Sequence, residues 1–375
     1  MAKAYTPGLK VSSRTTHRAR RLLPISGELK VSVGDEVSAD EVVAETFMEG
    51  DVSPMNISNK LSCAPSEVRG LMIRDEGEKV SKGDPIARSK GIFGMFKSEV
   101  PADADGTIEA ISDVTGQLML RGEPIPVQVR AYLAGRVSEI FPGEGCIVEN
   151  EVALVQGIFG IGGETSGLVK IACSSHTEDL TPEMITADMK DAVIIGGARM
   201  SVAAVRRARE VGAKAIVSGG IDDADLRDFL GYDLGVAITG SEKIGITVLV
   251  TEGFGDIAMA ERTHALLVQC EGRMASVNGA TQIRAGVMRP EILIPVDPES
   301  STTDSSPKGE QGVLEIGTTV RIIRDPYFGM IGTVGSLPPE PHVLGSGSKA
   351  RVLEVQLTEG GTVVVPRANV ELIEG

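Results

Sequence analysis

Cys173 and His176 come closest in this chain to a pair of residues suited to covalent catalysis, with Glu178 and Asp179 close by. A thiol and an imidazole act as nucleophile and base only within hydrogen-bond reach of each other and beside an oxyanion hole. Cys173 follows an apolar stretch, which favours a buried structural thiol. The four histidines lie far apart in the sequence, so the pattern predicts no metal site and no catalytic set.

Two glycine pairs offer a different chemistry, the binding of a phosphate group. Gly196-Gly197 and Gly219-Gly220 each follow a short apolar run. In open parallel sheets, ligands bind beyond the carboxyl ends of strands, where glycine lets backbone N–H groups approach a phosphate. Neither pair belongs to a GxGxxG or P-loop pattern. Tight turns are therefore the favoured interpretation, and a nucleotide or sugar-phosphate site is the alternative.

Two polar, glycine-rich segments interrupt the otherwise apolar region 168–296. Such residues fill a core poorly, so they either line a ligand site or connect loops through hydrogen bonds. If this region has a functional pocket, its candidate side chains are Glu252, Asn278, Gln282, Arg284 and Arg289.

The elements that would position these residues follow from the periodicity of region 168–296. Apolar runs at 193–195, 215–217 and 236–238 alternate with segments of helical periodicity. Ser201 is well placed to cap the first of these helices. The alternation predicts an α/β domain in which right-handed crossovers connect a parallel sheet.

Region 22–167 has the pattern of β-structure with an internal repeat. The segment 31–37 recurs within 77–87, and each copy places a Gly-Asp turn between apolar runs. This pattern resembles the barrel-sandwich hybrid of biotinyl and lipoyl carrier domains. The modified lysine of biotin carriers would fall on Met95 and not on Lys97. No prosthetic group, and no other cofactor, is therefore predicted.

The charge of the chain limits its partners. The net charge is −15, so the averaged field repels nucleic acid and anionic membranes and disfavours bulk DNA binding. Residues 1–21 are the exception and are predicted to form a basic N-terminal arm. The four cysteines form no CxxC pair, and no run approaches roughly 18 apolar residues, so we expect a reduced, cytoplasmic protein without a membrane segment.

The C-terminal part carries the most specific motif. Residues 297–311 are rich in Ser, Thr, Pro and acids and are predicted to be a flexible linker. Residues 312–375 consist of short alternating strands, and 316–334 resemble the KOW motif of bacterial transcription elongation factors and ribosomal proteins. That resemblance implies an SH3-like β-barrel.

The KOW resemblance also implies a binding surface. Such barrels bind RNA in ribosomes and bind other proteins in elongation factors. Residues 312–375 hold five basic and seven acidic side chains, so a protein partner is at least as well supported as RNA. The candidate binding residues are Arg321, Arg324, Tyr327, Phe328, Gly329, Arg351 and Arg367.

Three functions follow from this multidomain arrangement of hybrid-like region, α/β domain and KOW barrel, which is similar to uncharacterised bacterial KOW-domain proteins. The leading prediction is a non-enzymatic adaptor that associates with RNA polymerase or the ribosome. The first alternative is a structural protein that assembles into oligomers or filaments. The second alternative is an enzyme or sensor that binds a nucleotide or sugar phosphate in the α/β domain.

Overall fold

The fold is β-rich and is built from several sheets around one large mixed sheet. Strands account for 46% of the residues and helices for 15%. The computed structural model describes residues 9–90, 98–232, 242, 244–281, 289–297, 314–324, 326–327, 329–343, 349–358 and 360–372. Among them, no helix is both long enough and apolar enough to cross a membrane.

The strands of the first half of the chain are β1 (Val11–Leu22), β2 (Glu28–Leu29), β3 (Glu36–Val37), β4 (Val42–Met48), β5 (Val52–Asn56), β6 (Lys79–Val80), β7 (Pro85–Arg88), β8 (Glu99–Pro101), β9 (Gly106–Ile111), β10 (Gln117–Arg121), β11 (Ile125–Arg130), β12 (Gly135–Phe141), β13 (Gly145–Gln156), β14 (Phe159–Ile161) and β15 (Glu164–Ile171). The remaining strands are β16 (Ala192–Ile195), β17 (Arg199–Met200), β18 (Ala215–Ile221), β19 (Thr247–Phe254), β20 (Met274–Asn278), β21 (Glu291–Pro295), β22 (Thr319–Ile322), β23 (Ile331–Ser336), β24 (His342–Val343), β25 (Lys349–Ala350), β26 (Val352–Leu357), β27 (Thr362–Pro366) and β28 (Val370–Leu372). The α-helices are α1 (Ile57–Leu61), α2 (Val202–Val211), α3 (Asp223–Leu230) and α4 (Glu261–Gln269).

The central sheet has the order β14-β19-β18-β16-β15-β20-β21-β13-β12-β3, with β1 added on β13 and β17 on β18. Strands β15, β16, β18 and β19 run parallel to one another, as the predicted α/β pattern requires. The remaining pairs along this order are antiparallel. The predicted strand at 236–238 lies outside the described residues.

Helices cover both faces of the parallel strands because side chains alternate along each strand. On one face, Ile194 and Ile216 pack in a cluster with Ala204 and Val205 of α2. On the other face, Val193 packs in a cluster with Leu267 of α4. The Ser201 hydroxyl accepts a hydrogen bond from the Ala204 N–H at 3.2 Å, which caps α2 as predicted.

The large sheet continues across the boundary predicted near residue 167. One edge of β13 pairs with β1, and the other edge pairs first with β12 and then with β21. β13 thereby hydrogen-bonds to strands from before and after that boundary. Periodicity along a sequence does not show which distant strands share an edge, so this pairing is visible only in the structure.

The predicted basic arm is largely a strand of this sheet. β1 pairs with β13 from Val11↔Val155 to Leu22↔Gly145. Arg14, Arg18 and Arg21 form ion pairs with acids of the body. Arg21 donates to both carboxylate oxygens of Glu164 at 2.8 and 2.7 Å. The positive charge of this segment is therefore used within the chain.

Smaller sheets complete the first half, with the orders β5-β10-β9-β6 and β11-β4-β2 and the hairpin β7-β8. The two repeat copies form the same turn. The Ser32 N–H donates to the Asp35 carboxylate at 2.8 Å, and the Ser81 N–H donates to that of Asp84 at 2.9 Å. Met95 and Lys97, used to argue against a carrier role, lie outside the described residues.

The C-terminal module, residues 312–375, contains a five-stranded antiparallel sheet with the order β27-β26-β23-β22-β28. Its apolar side chains form a core separate from those of the body: Val320, Ile322, Val334, Leu353, Val355, Val365, Val370 and Leu372. The predicted linker 297–311 lies outside the described residues, apart from Asp297.

A polar cluster joins β1 to the body where β21 begins. The Tyr132 hydroxyl donates to Glu291 Oε1 at 3.4 Å, and His17 Nε2 lies 3.9 Å from the same oxygen. Burial, reinforced by the negative charge of Glu164, raises the pKa of Glu291 to about 6. Burial and the nearby Lys10 lower the pKa of His17.

Replacing Glu291 with Gln should stabilise the protein at neutral pH. Because the folded-state pKa of about 6 lies above the usual 4.5, the contribution of this carboxyl to stability falls as pH rises through that interval. We expect Glu291→Gln to gain about 2 kcal/mol over the native chain at pH 7.5 and almost nothing at pH 4.5. Urea unfolding at both pH values measures the difference. Glu36→Gln, at an exposed position, is the control, and an equal gain at both pH values would contradict the prediction.

Candidate functional site

Three candidate residues, predicted for two separate sites, meet in one buried ion-pair network. Arg321 Nη2 donates to Glu252 Oε2 at 2.7 Å, and its Nη1 donates to Glu371 Oε1 at 2.7 Å. The other oxygen of Glu371 accepts from Arg289 Nη2 at 2.7 Å. The network therefore connects the α/β body to the C-terminal module through alternating charges.

Strands position three of the four side chains. Arg321 and Glu371 are cross-strand neighbours on β22 and β28. Glu252 lies near the end of β19, and its second oxygen accepts from the Ala260 N–H at 3.1 Å. Arg289 lies just before β21. Glu252, Arg321 and Glu371 therefore lie on regular backbone, which fixes their positions in the network.

Burial makes this network energetically important. The side chains of Arg321 and Glu371 are only 3% and 1% exposed, and that of Glu252 is 11% exposed. An isolated charge at such a depth is strongly unfavourable, so each group depends on its partners. Arg321 Nε and Arg289 Nη1 are buried without a hydrogen-bond partner among the described residues.

Two glycines let the backbones of the body and the module approach each other beside the network. A Cβ on Gly253 would lie 2.3 Å from the Gly329 carbonyl oxygen. Gly329 has φ +82°, and a Cβ there would lie 2.6 Å from the Phe254 ring. Ile323 of the module packs against the main core of the body. Side chains at either glycine are incompatible with this contact.

A cleft of about 340 Å³ lies next to this contact, between the two units. The body lines it with Phe254 at the end of β19 and with residues after that strand, including Asp256 and Ile257. The module lines it with Met330 and Leu357. Its walls are mainly apolar, and Asp256 is an exposed carboxylate at its edge. Such a cleft has the size and lining of a small ligand or side-chain pocket.

The strand-end glycine pairs do not form a free phosphate cradle. The N–H groups of Gly196, Gly219 and Gly220 donate to backbone carbonyls of neighbouring strands and turns. A Cβ on Gly197 would lie 2.2 Å from the Ser175 carbonyl oxygen. These glycines permit close backbone packing, and three of their four donors are already occupied.

Cys173 and His176 are not arranged as a nucleophile–base pair. His176 Nδ1 contacts the Met259 carbonyl oxygen at 2.9 Å, and His264 Nε2 contacts the Cys173 carbonyl oxygen at 3.2 Å. The thiol is fully buried and lies 3.7 Å from the Met184 sulfur. Burial raises the pKa of Cys173 to about 11, so the thiol is protonated at neutral pH.

The other candidate residues lie apart from the network or outside the described residues. The Asn278 carboxamide oxygen accepts from the Ala280 N–H at 2.9 Å, which stabilises a turn. Arg367 donates to two backbone carbonyls within the module, at 3.1 and 2.9 Å. Arg324 and Tyr327 are half-buried, and Arg351 is exposed. Gln282, Arg284 and Phe328 lie outside the described residues.

Glu371 and Phe254 are members of the contact that were not among the predicted site residues. Glu371 is one carboxylate in an otherwise apolar closing strand, and Phe254 lies in the same segment as Glu252. A charged residue between apolar neighbours in a short strand is the sequence signal that could have identified Glu371. In the described part of the chain, no group of three or more His, Cys, Asp or Glu side chains could hold a metal ion.

No protein-family model matches this chain, and a search of curated proteins gives no match.

Replacing Arg321 with Met should destabilise the C-terminal module. The change removes one of the two guanidinium partners of the buried Glu371 and the guanidinium partner of Glu252, so we expect a loss of about 3–5 kcal/mol. Hydrogen exchange of the backbone amides of β22 and β28 measures this loss as faster local opening. Arg351→Met, at an exposed position, is the matched control. Unchanged exchange in the Arg321 variant would contradict the prediction.

In the folded protein, the Cys173 thiol should react with an alkylating reagent more slowly than the Cys63 thiol. With a pKa of about 11, only about 0.1% of Cys173 is thiolate at pH 8, and its sulfur is buried. Cys63 is half-exposed. Alkylation with iodoacetamide followed by peptide mapping should find Cys63 modified first and Cys173 only after unfolding. Equal rates at the two positions in the native protein would overturn this expectation, and a Cys63→Ser chain checks the assignment.

Proposed function

We propose that this protein is a non-enzymatic adaptor that associates with RNA polymerase or the ribosome through its C-terminal module, an SH3-like barrel carrying a KOW motif. The observation that carries the proposal is the separate apolar core of the module, which meets the body through a contact that includes a buried ion-pair network. A unit with its own core, attached in this way, is suited to present a recognition surface.

The KOW resemblance of residues 316–334 is the reason for proposing RNA polymerase or the ribosome as the partner. Two features favour a protein over RNA. The module holds more acidic than basic residues, and its Arg321 is already paired with two carboxylates. A phosphate backbone would have to compete with both.

The rest of the chain supports a binding role. Region 22–167 is proposed to be a barrel-sandwich hybrid without a prosthetic group. In the α/β body, the strand-end glycines use their donors internally, and the Cys173 thiol is buried and protonated. Self-assembly and nucleotide or sugar-phosphate binding remain predictions from the sequence.

Affinity capture with the full chain and with a chain ending at residue 296 tests the proposal. Mass spectrometry should find RNA polymerase subunits or ribosomal proteins with the full chain and lose them with the truncated one. Capture should survive ribonuclease treatment, because the proposed partner surface is protein. Equal capture by both chains, or no such proteins with either, would remove the proposal.

A further inference from the structure

One segment of the body contacts the module in the way that a bound peptide would. This Glu-Gly-Phe segment is Glu252, Gly253 and Phe254, at the end of β19. Its carboxylate accepts from Arg321 Nη2 at 2.7 Å, and its ring lies against Gly329. The glycine between them fits beneath the Gly329 carbonyl oxygen. The contact therefore combines one charge, one aromatic ring and one position without a side chain.

The module surface that receives this segment, here called the docking face, has matching chemistry. Its members are Arg321, Gly329, Met330, Ile331, Leu357 and Thr358. The face combines one guanidinium with the mainly apolar lining of the cleft, so it is suited to a carboxylate next to an apolar group. Glu371 holds Arg321 from the other side. That second carboxylate disfavours a doubly charged phosphate and is compatible with a single carboxylate.

The Glu-Gly-Phe segment does not saturate the docking face. Arg321 Nε is buried without a hydrogen-bond partner among the described residues. The cleft of about 340 Å³ also stays open beside Phe254, lined on the module side by Met330 and Leu357. Buried donors are normally paired, and apolar clefts of this size accept side chains. The docking face can therefore accept a further hydrogen-bond acceptor and an apolar side chain that the body does not supply.

We infer that the docking face is the recognition site for a protein segment carrying a carboxylate and, two residues later, an aromatic ring. The Glu-Gly-Phe segment occupies this site when the partner is absent, and the partner replaces it. This inference rests on the proposed adaptor function and names the chemistry of its partner. An additional apolar residue of the partner would fill the cleft.

Two full-length variants weaken the internal contact by different means. Glu252→Gln removes the charge that pairs with Arg321 but keeps an oxygen to accept from the Ala260 N–H. Gly253→Ala introduces a Cβ only 2.3 Å from the Gly329 carbonyl oxygen. Gly70→Ala is the matched control, because a Cβ there meets no atom within 4 Å.

The probe is a fluorescent peptide with the sequence of residues 248–257, which contains the Glu-Gly-Phe segment. Fluorescence anisotropy should show at least tenfold tighter binding to both variants than to the native chain and to the Gly70 variant. Adding Arg321→Met to the Glu252 variant should abolish binding. Peptides with Gln in place of Glu, or Ala in place of Phe, should bind at least tenfold more weakly.

Equal binding of the peptide to native and variant chains would overturn the inference, and so would undiminished binding of the Gln peptide. Absence of binding to both variants, or displacement of the peptide by an RNA oligonucleotide, would also overturn it. Capture of polymerase or ribosomal proteins by the full chain does not depend on this peptide. A failure here is therefore distinct from a failure of the proposed function.

Discussion

Moving the charged guanidinium of Arg321 out of water carries a large desolvation cost. Glu252 and Glu371 offset that cost from two different units of the chain. The geometry of this pairing fixes where β22 and β28 lie relative to the end of β19. The glycine contact, the cleft and the exposed remainder of the module all follow from that placement, and a single altered charge would disturb each of them.

A second constraint is the length of β13. Its twelve residues pair with β1 along one edge and with β12 and β21 along the other. Strands β1, β3, β12 and β13 of the first half therefore share one hydrogen-bonded framework with the α/β body. Opposite charges reinforce the framework, as in the two hydrogen bonds from Arg21 to Glu164. The acidic composition of the body is what makes a basic first strand favourable.

The elements that depend on local pattern were the predictable part of this protein. The runs at 193–195 and 215–217 form parallel strands, and Ser201 caps α2, because periodicity and capping involve neighbouring residues. The sequence predicted Glu252 and Arg289 for one site and Arg321 for another, and it did not predict that the three form one network. Sequence patterns showed that these polar residues sit in unusual surroundings, but not that residues from two units meet, since that depends on the tertiary packing of both.

The register of β1 has a consequence for how the chain is made. On the ribosome, Val11–Leu22 emerges long before Gly145–Gln156, the strand with which it pairs. Until β13 has been synthesised, the backbone donors and acceptors of β1 are exposed to water. An apolar strand exposed in this way would be prone to aggregate. The arginines of β1 keep it solvated during this interval and are neutralised only when the acidic partners arrive. Final closure of the large sheet must wait until β21 has also been synthesised, so its folding is dominated by late, long-range pairing.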